Sequence, residues 1–137
     1  MMDFQDSFPK LPHRAPFVLL DRILEATPER GLCLKQVSAS DVCVTPNGVL
    51  PAAFVLEALA QAGGAYLNAI GEQDDAPAGF LAQVERFVQE QPVRVGDELR
   101  LEVRVTRRFR SATVLEGRAL VGETVCAEGR FTISTGR

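Results

Sequence analysis

The chain is poor in the side chains from which many active sites are built. In 137 residues it carries one histidine, His13, one tyrosine, Tyr66, no tryptophan and three cysteines. Cys33, Cys43 and Cys126 are odd in number and widely spaced. That excludes a closed disulfide framework, offers no zinc-ligand spacing, and fits a reducing cytoplasm. An excess of one charge is also lacking. Fifteen basic residues against 18 acidic leave a net charge of −3, without the footprint of a nucleic-acid-binding domain. No apolar run reaches the roughly 18 residues that a membrane span needs, the longest being interrupted by Glu57 and Gln61. The opening MMDFQDSFPK is acidic and polar, unlike the positive segment and apolar core of a signal peptide. A cytoplasmic protein is expected, with no nucleic-acid or membrane partner, no metal and no cofactor.

A core, by contrast, is well provided for. Hydrophobic residues make up 46% of the chain, and its length suits a single domain over 1–137. Two strand-like runs come first, Phe17 to Glu25 and Gly31 to Ser38, with Pro28, Glu29 and Gly31 supplying the turn. A polar loop with the turn signal Asn47-Gly48 follows. Pro51 then opens a helix, where its fixed φ and missing N–H are tolerated. From Ala52 to Ile70 apolar residues occur all round, the pattern of a buried helix. Gly63-Gly64 leaves room for a neighbouring backbone, Gly71 is the stop, and EQDDAPA is loop. Strands are expected over Gly79 to Val88, Glu98 to Thr106, Thr113 to Val121 and Thr124 to Ile133. Within the second of these, Leu99, Leu101, Val103 and Val105 alternate with Arg100, Glu102, Arg104 and Thr106. Two strands, one long helix and about four more strands make an α+β fold, an antiparallel sheet wrapped around one helix. Its edges suit pairing with a second copy.

Glu57 is the anomaly in that helix. Burial raises a carboxylate's pKa, and such a group can give or take a proton near neutrality. Gln61, four residues on, shares its helix face and can orient it. The competing reading turns Glu57 to solvent or pairs it with an arginine. Ala52 and Ala53 keep their amides at the helix N-terminus and carry little side chain, which suits a polarised thioester carbonyl.

Three ordered segments resemble the bacterial (3R)-hydroxyacyl-[acyl-carrier-protein] dehydratases. They are LPHRAPFVLLDRILE (Leu11 to Glu25), VLEALAQAGG (Val55 to Gly64) and RVGDELRLEVRVTRRFR (Arg94 to Arg110). The resemblance implies the hot-dog fold and a homodimer or trimer of dimers, with sites at the dimer interface. It also implies elimination of water from a 3-hydroxyacyl thioester held on acyl carrier protein or CoA. In that family a histidine from one subunit removes the proton next to the carbonyl. A glutamic acid from the other protonates the departing hydroxyl, and a glycine amide holds the thioester oxygen. The glutamate maps onto Glu57, the signature glutamine onto Gln61 and the helix proline onto Pro51. Ala52 replaces the glycine.

The family's GHFPxxPxxPG segment is replaced here by VCVTPNGVLPA, which puts Cys43 in the histidine's place. His13 matches the histidine of the opening signature, a separate position, and is assigned a structural role. The chain is thus expected to be a divergent member with a degenerate site, with Glu57 as acid/base. Cys43 is either a substitute base or a small buried thiol, and thiolates are better nucleophiles than bases toward carbon acids. Ala52, Ala53 and Gln61 are the expected substrate-binding residues. Arg100, Arg104, Arg107, Arg108 and Arg110 are either an ordinary solvated strand face or a basic patch for an acidic carrier or a phosphate. Two other functions fit the same residues. One is a thioesterase using Glu57 as its sole carboxylate. The other is a non-catalytic acyl-binding protein or heterodimer partner.

Overall fold

The computed structural model describes residues 11, 13, 17–71 and 80–134. The elements run β1 (Arg22–Ala26), β2 (Gly31–Gln36), β3 (Val49–Leu50), α1 (Ala52–Ala69), β4 (Phe80–Gln89), β5 (Val93–Arg94), β6 (Glu98–Arg108), β7 (Ala112–Val121) and β8 (Thr124–Ser134). Six strands form one sheet in the order β1-β2-β6-β7-β8-β4, every pair antiparallel. The helix packs against all six. It is an α+β layer in which each element buries its apolar face against the other.

Helix α1 starts at Pro51, whose carbonyl accepts from Phe54 N at 2.9 Å and Val55 N at 3.2 Å. It stops at Gly71, whose φ of +76° is the left-handed turn that favours glycine after a helix. Between them, the helix is buried from Ala58 to Leu67. The alternation read in β6 holds. Leu99, Leu101 and Val103 are fully buried against Leu59, Tyr66 and the rest of the core, while Arg100 and Arg104 are exposed. Glu102 departs from the alternation. It lies on the outer face, yet it is covered by Arg30 and Arg118, both of which donate to it.

Three differences from the sequence reading have physical causes. The first strand begins at Arg22 rather than Phe17, because Leu19 N donates to the side chain of Gln61 at 2.7 Å instead of to a neighbouring strand. The two-residue strands β3 and β5, too short to show any period, pair with each other and brace the loop that leads into α1. Around Gly63 the space is filled by the side chains of Ile133, Phe131 and Leu115, not by a neighbouring backbone. The leader and the EQDDAPA loop fall outside the described residues. Among the described residues no helix is long and apolar enough to cross a membrane.

Candidate active site

Glu57 lies in the second turn of α1. Its side chain is 32% exposed, so it is neither sealed in the core nor fully solvated. One carboxylate oxygen, Oε1, has two neighbours. His13 Nε2 stands 3.1 Å away, and Gln61 Nε2 donates to it at 3.4 Å. Among the described residues no hydrogen bond or ion pair reaches Oε2. Among the described residues no arginine pairs with Glu57. Glu57 is paired with a histidine.

Gln61 holds this arrangement. It is buried, and both ends of its amide are used. Oε1 accepts from Leu19 N, and Nε2 donates to Phe17 O at 2.8 Å as well as to Glu57. The i, i+4 spacing puts the two side chains on one helix face, and the amide ties that face to the stretch that follows His13. The imidazole of His13 is largely covered, its side chain 13% exposed. It lies against the ring of Phe80 at 5.4 Å between centroids. His13 therefore touches both Glu57 of α1 and the first residue of β4. The sequence reading kept His13 apart from the site because it was matched only to a linear signature. Its spacing from Glu57 in the chain carried no signal of contact.

Ala52 and Ala53 are exposed at the open end of the helix. Pro51 provides no side-chain cap, and among the described residues nothing accepts from the Ala52 and Ala53 amides. Such first-turn donors are the ordinary binding place for an anion or a polarised carbonyl. Cys43 is buried in the loop before β3. Burial pushes its thiol up and nearby Asp41 adds to this, against an opposing pull from Lys35. The thiol form therefore prevails at neutral pH, and among the described residues no hydrogen bond joins Cys43 to Glu57 or His13. Cys33 is more extreme, pushed up to about 12 by burial alone. Among the described residues no group of side chains could hold a metal ion. A depression of about 170 Å³ beside Val88, Glu90 and Cys126 lies toward the other end of β4 and includes none of the site residues.

Known proteins share both this fold and this sequence. The structure described as the dehydratase heterocomplex ApeI:P from Xenorhabdus doucetiae superposes with a TM-score of 0.82. It is 23% identical, over 93% of this chain and 88% of that one. The architecture is the hot-dog fold. In sequence, the chain is 36% identical over 126 residues to the 3-hydroxyacyl-[acyl-carrier-protein] dehydratase FabZ of Thermomicrobium roseum, covering 88% of this chain and 84% of that protein. It is also 36% identical over 134 residues to the FabZ of Koribacter versatilis, covering 93% and 85%. The family model for ApeP-like proteins, described as ApeP dehydratase, matches residues 8–136. The chain belongs to this dehydratase family.

Proposed function

We propose that the protein eliminates water from a 3-hydroxyacyl thioester carried on an acyl carrier protein, in fatty-acid or polyketide-like synthesis. The observation that carries this reading is the Glu57 carboxylate. It is held through Oε1, has no bond at Oε2 among the described residues, and sits on the helix whose first amides have no acceptor among those residues. A thioester oxygen at the Ala52 and Ala53 amides acidifies the C2 proton, since charge that develops on the oxygen is met by fixed donors. Glu57 then protonates the departing hydroxyl. Gln61 positions the carboxylate. The site is degenerate in one respect, Cys43 standing where the resemblance puts a histidine, and the covered thiol is a poor base.

We read the whole chain, 1–137, as one hot-dog domain that works as a homodimer. Support comes from β4, an edge strand bonded to β8 on one side only among the described strands. It exposes Phe80, Val84 and Val88. A second copy pairing there covers this apolar row and the unpaired backbone, and because Phe80 touches His13, the interface borders the site. The names of the relatives favour a carrier protein over CoA. So do Arg107 at the end of β6 and Arg110 in the β6–β7 turn, which have no carboxylate partner among the described residues, while Arg100, Arg118 and Arg130 are paired with glutamates. The reading is tested by product analysis with 3-hydroxyacyl carrier substrate. Formation of the 2-enoyl thioester without release of free thiol is expected. Free carrier thiol with no enoyl product would identify a hydrolase instead.

A further inference from the structure

The chain's only histidine stands where a proton acceptor is needed, and the geometry points to His13 as the general base of this site, supplied by the same chain that supplies Glu57. The inference rests on the dehydratase reading and changes one part of it. The resemblance draws the histidine from a loop of the second subunit. Here that loop position is Cys43, and an imidazole from the N-terminal segment reaches Glu57 within one chain.

His13 Nε2 lies 3.1 Å from Glu57 Oε1, the distance of a direct proton transfer. The ring is held between the helix and Phe80 of β4. The carboxylate is held by Gln61, which also fixes the backbone at Phe17 and Leu19, just beyond the histidine. The same amide thus holds the carboxylate and the backbone at Phe17 and Leu19. Neutral His13 takes the proton from C2 as the C2–C3 double bond forms. The C3–O bond breaks, and protonated Glu57 gives its proton to the leaving hydroxyl, which departs as water. The pair is left as imidazolium and carboxylate, and one proton passing from His13 to Glu57 restores the starting state. No outside co-reactant is required. A positioned base of this kind contributes ~10²–10⁴-fold to rate.

A histidine that merely pins the N-terminal segment to α1 shows the same contact, so the test separates the roles. His13→Gln and Glu57→Gln chains, each with its own tag, are co-expressed and the mixed dimer is purified. With both groups supplied in one chain, each site of the mixed dimer lacks one member, and activity stays as low as in either parent. Recovery of roughly half the wild-type activity per dimer shows that the pair forms across the interface and overturns the proposal. So does a His13→Gln chain with full activity. His13→Ala is expected to regain activity with added imidazole, which a structural pin does not do; failure of that rescue in a folded variant counts against the base role. A readout without substrate is the chemical shift of the single imidazole in NMR spectra. Glu57→Gln is expected to move that signal, since the imidazole lies against the carboxylate; an unmoved signal overturns the pair. If the wild type turns over no 3-hydroxyacyl thioester yet this signal moves, the pair stands and the dehydratase reading fails instead.

Discussion

Gln61 joins three things that must stay together: the carboxylate of Glu57, the carbonyl of Phe17 and the amide of Leu19. Gln61→Leu keeps the volume and removes all three bonds. It leaves a backbone donor and an acceptor without partners, a loss of about 1–3 kcal/mol. Turnover is expected to fall more than this alone explains, because Glu57 and the segment bearing His13 both lose their anchor. Chemical denaturation and steady-state kinetics on the same preparation separate the two effects. Cys43→Ala is the contrasting case. With a thiol pushed up by burial, the cysteine has little thiolate to lose, and kcat is expected to stay within about threefold of wild type. A drop on the scale of a lost general base, ~10²-fold or more, would restore Cys43 to the chemistry. At this scale the sequence was legible in part. Glu57 and Gln61 stood out because polar groups set into an apolar helix cost free energy unless they are hydrogen-bonded, and four-residue spacing lets these two bond each other. His13 did not stand out, since 44 residues separate it from Glu57 and only the folded chain brings them together.

Between elements, the tightest fit is where β2 meets α1. A Cβ at Gly31 would lie 2.6 Å from the ring of Tyr66. That ring is fully buried, and its hydroxyl donates to Thr27 O in the β1–β2 turn at 2.6 Å. It has no direction in which to yield. Gly31→Ala is expected to cost typically 1–3 kcal/mol through overpacking, seen as a lower thermal midpoint. Tyr66→Phe in the same background should not relieve it, because the clash is with the ring and its Cβ. The sequence reading placed Gly31 in a turn, where its backbone freedom is useful, and could not see that its missing side chain matters more. The helix was readable from Pro51 at its start, an apolar run all round and Gly71 as its stop, and β6 from its period of two. β3 and β5 were not, since two residues carry no period, and the stretch after Phe17 looked like strand until its donor was found bonded to a helix side chain.

Across the whole molecule, the outer face of the sheet is held by cross-strand charges centred on Glu102. Burial pushes its carboxyl up, but hydrogen bonds from Arg118 and Arg30 outweigh this, helped by the charges of Arg118 and Arg104, and the group ends below its ordinary value of 4.5. A carboxylate depressed in the fold stabilises it above the ordinary value and loses that contribution as pH falls through the folded value. Acid unfolding should therefore steepen below about pH 4.5 in the wild type. Glu102→Gln should be less stable at pH 7 by roughly 1–3 kcal/mol and show a shallower decline on acidification; parallel curves would contradict this. The fold itself was evident from the order of elements and from the family segments. The location of the site at the junction of the N-terminal segment, α1 and β4 was not, because it depends on how the sheet curls around the helix.

The central claim is that Glu57 carries proton transfer in a dehydration. Its most direct test is kcat/KM for 3-hydroxyacyl carrier thioester, measured side by side for the wild type and for Glu57→Gln of unchanged circular dichroism. The account predicts enoyl formation by the wild type and a loss of ~10²–10⁴-fold in the variant. Equal rates in the two proteins would contradict it.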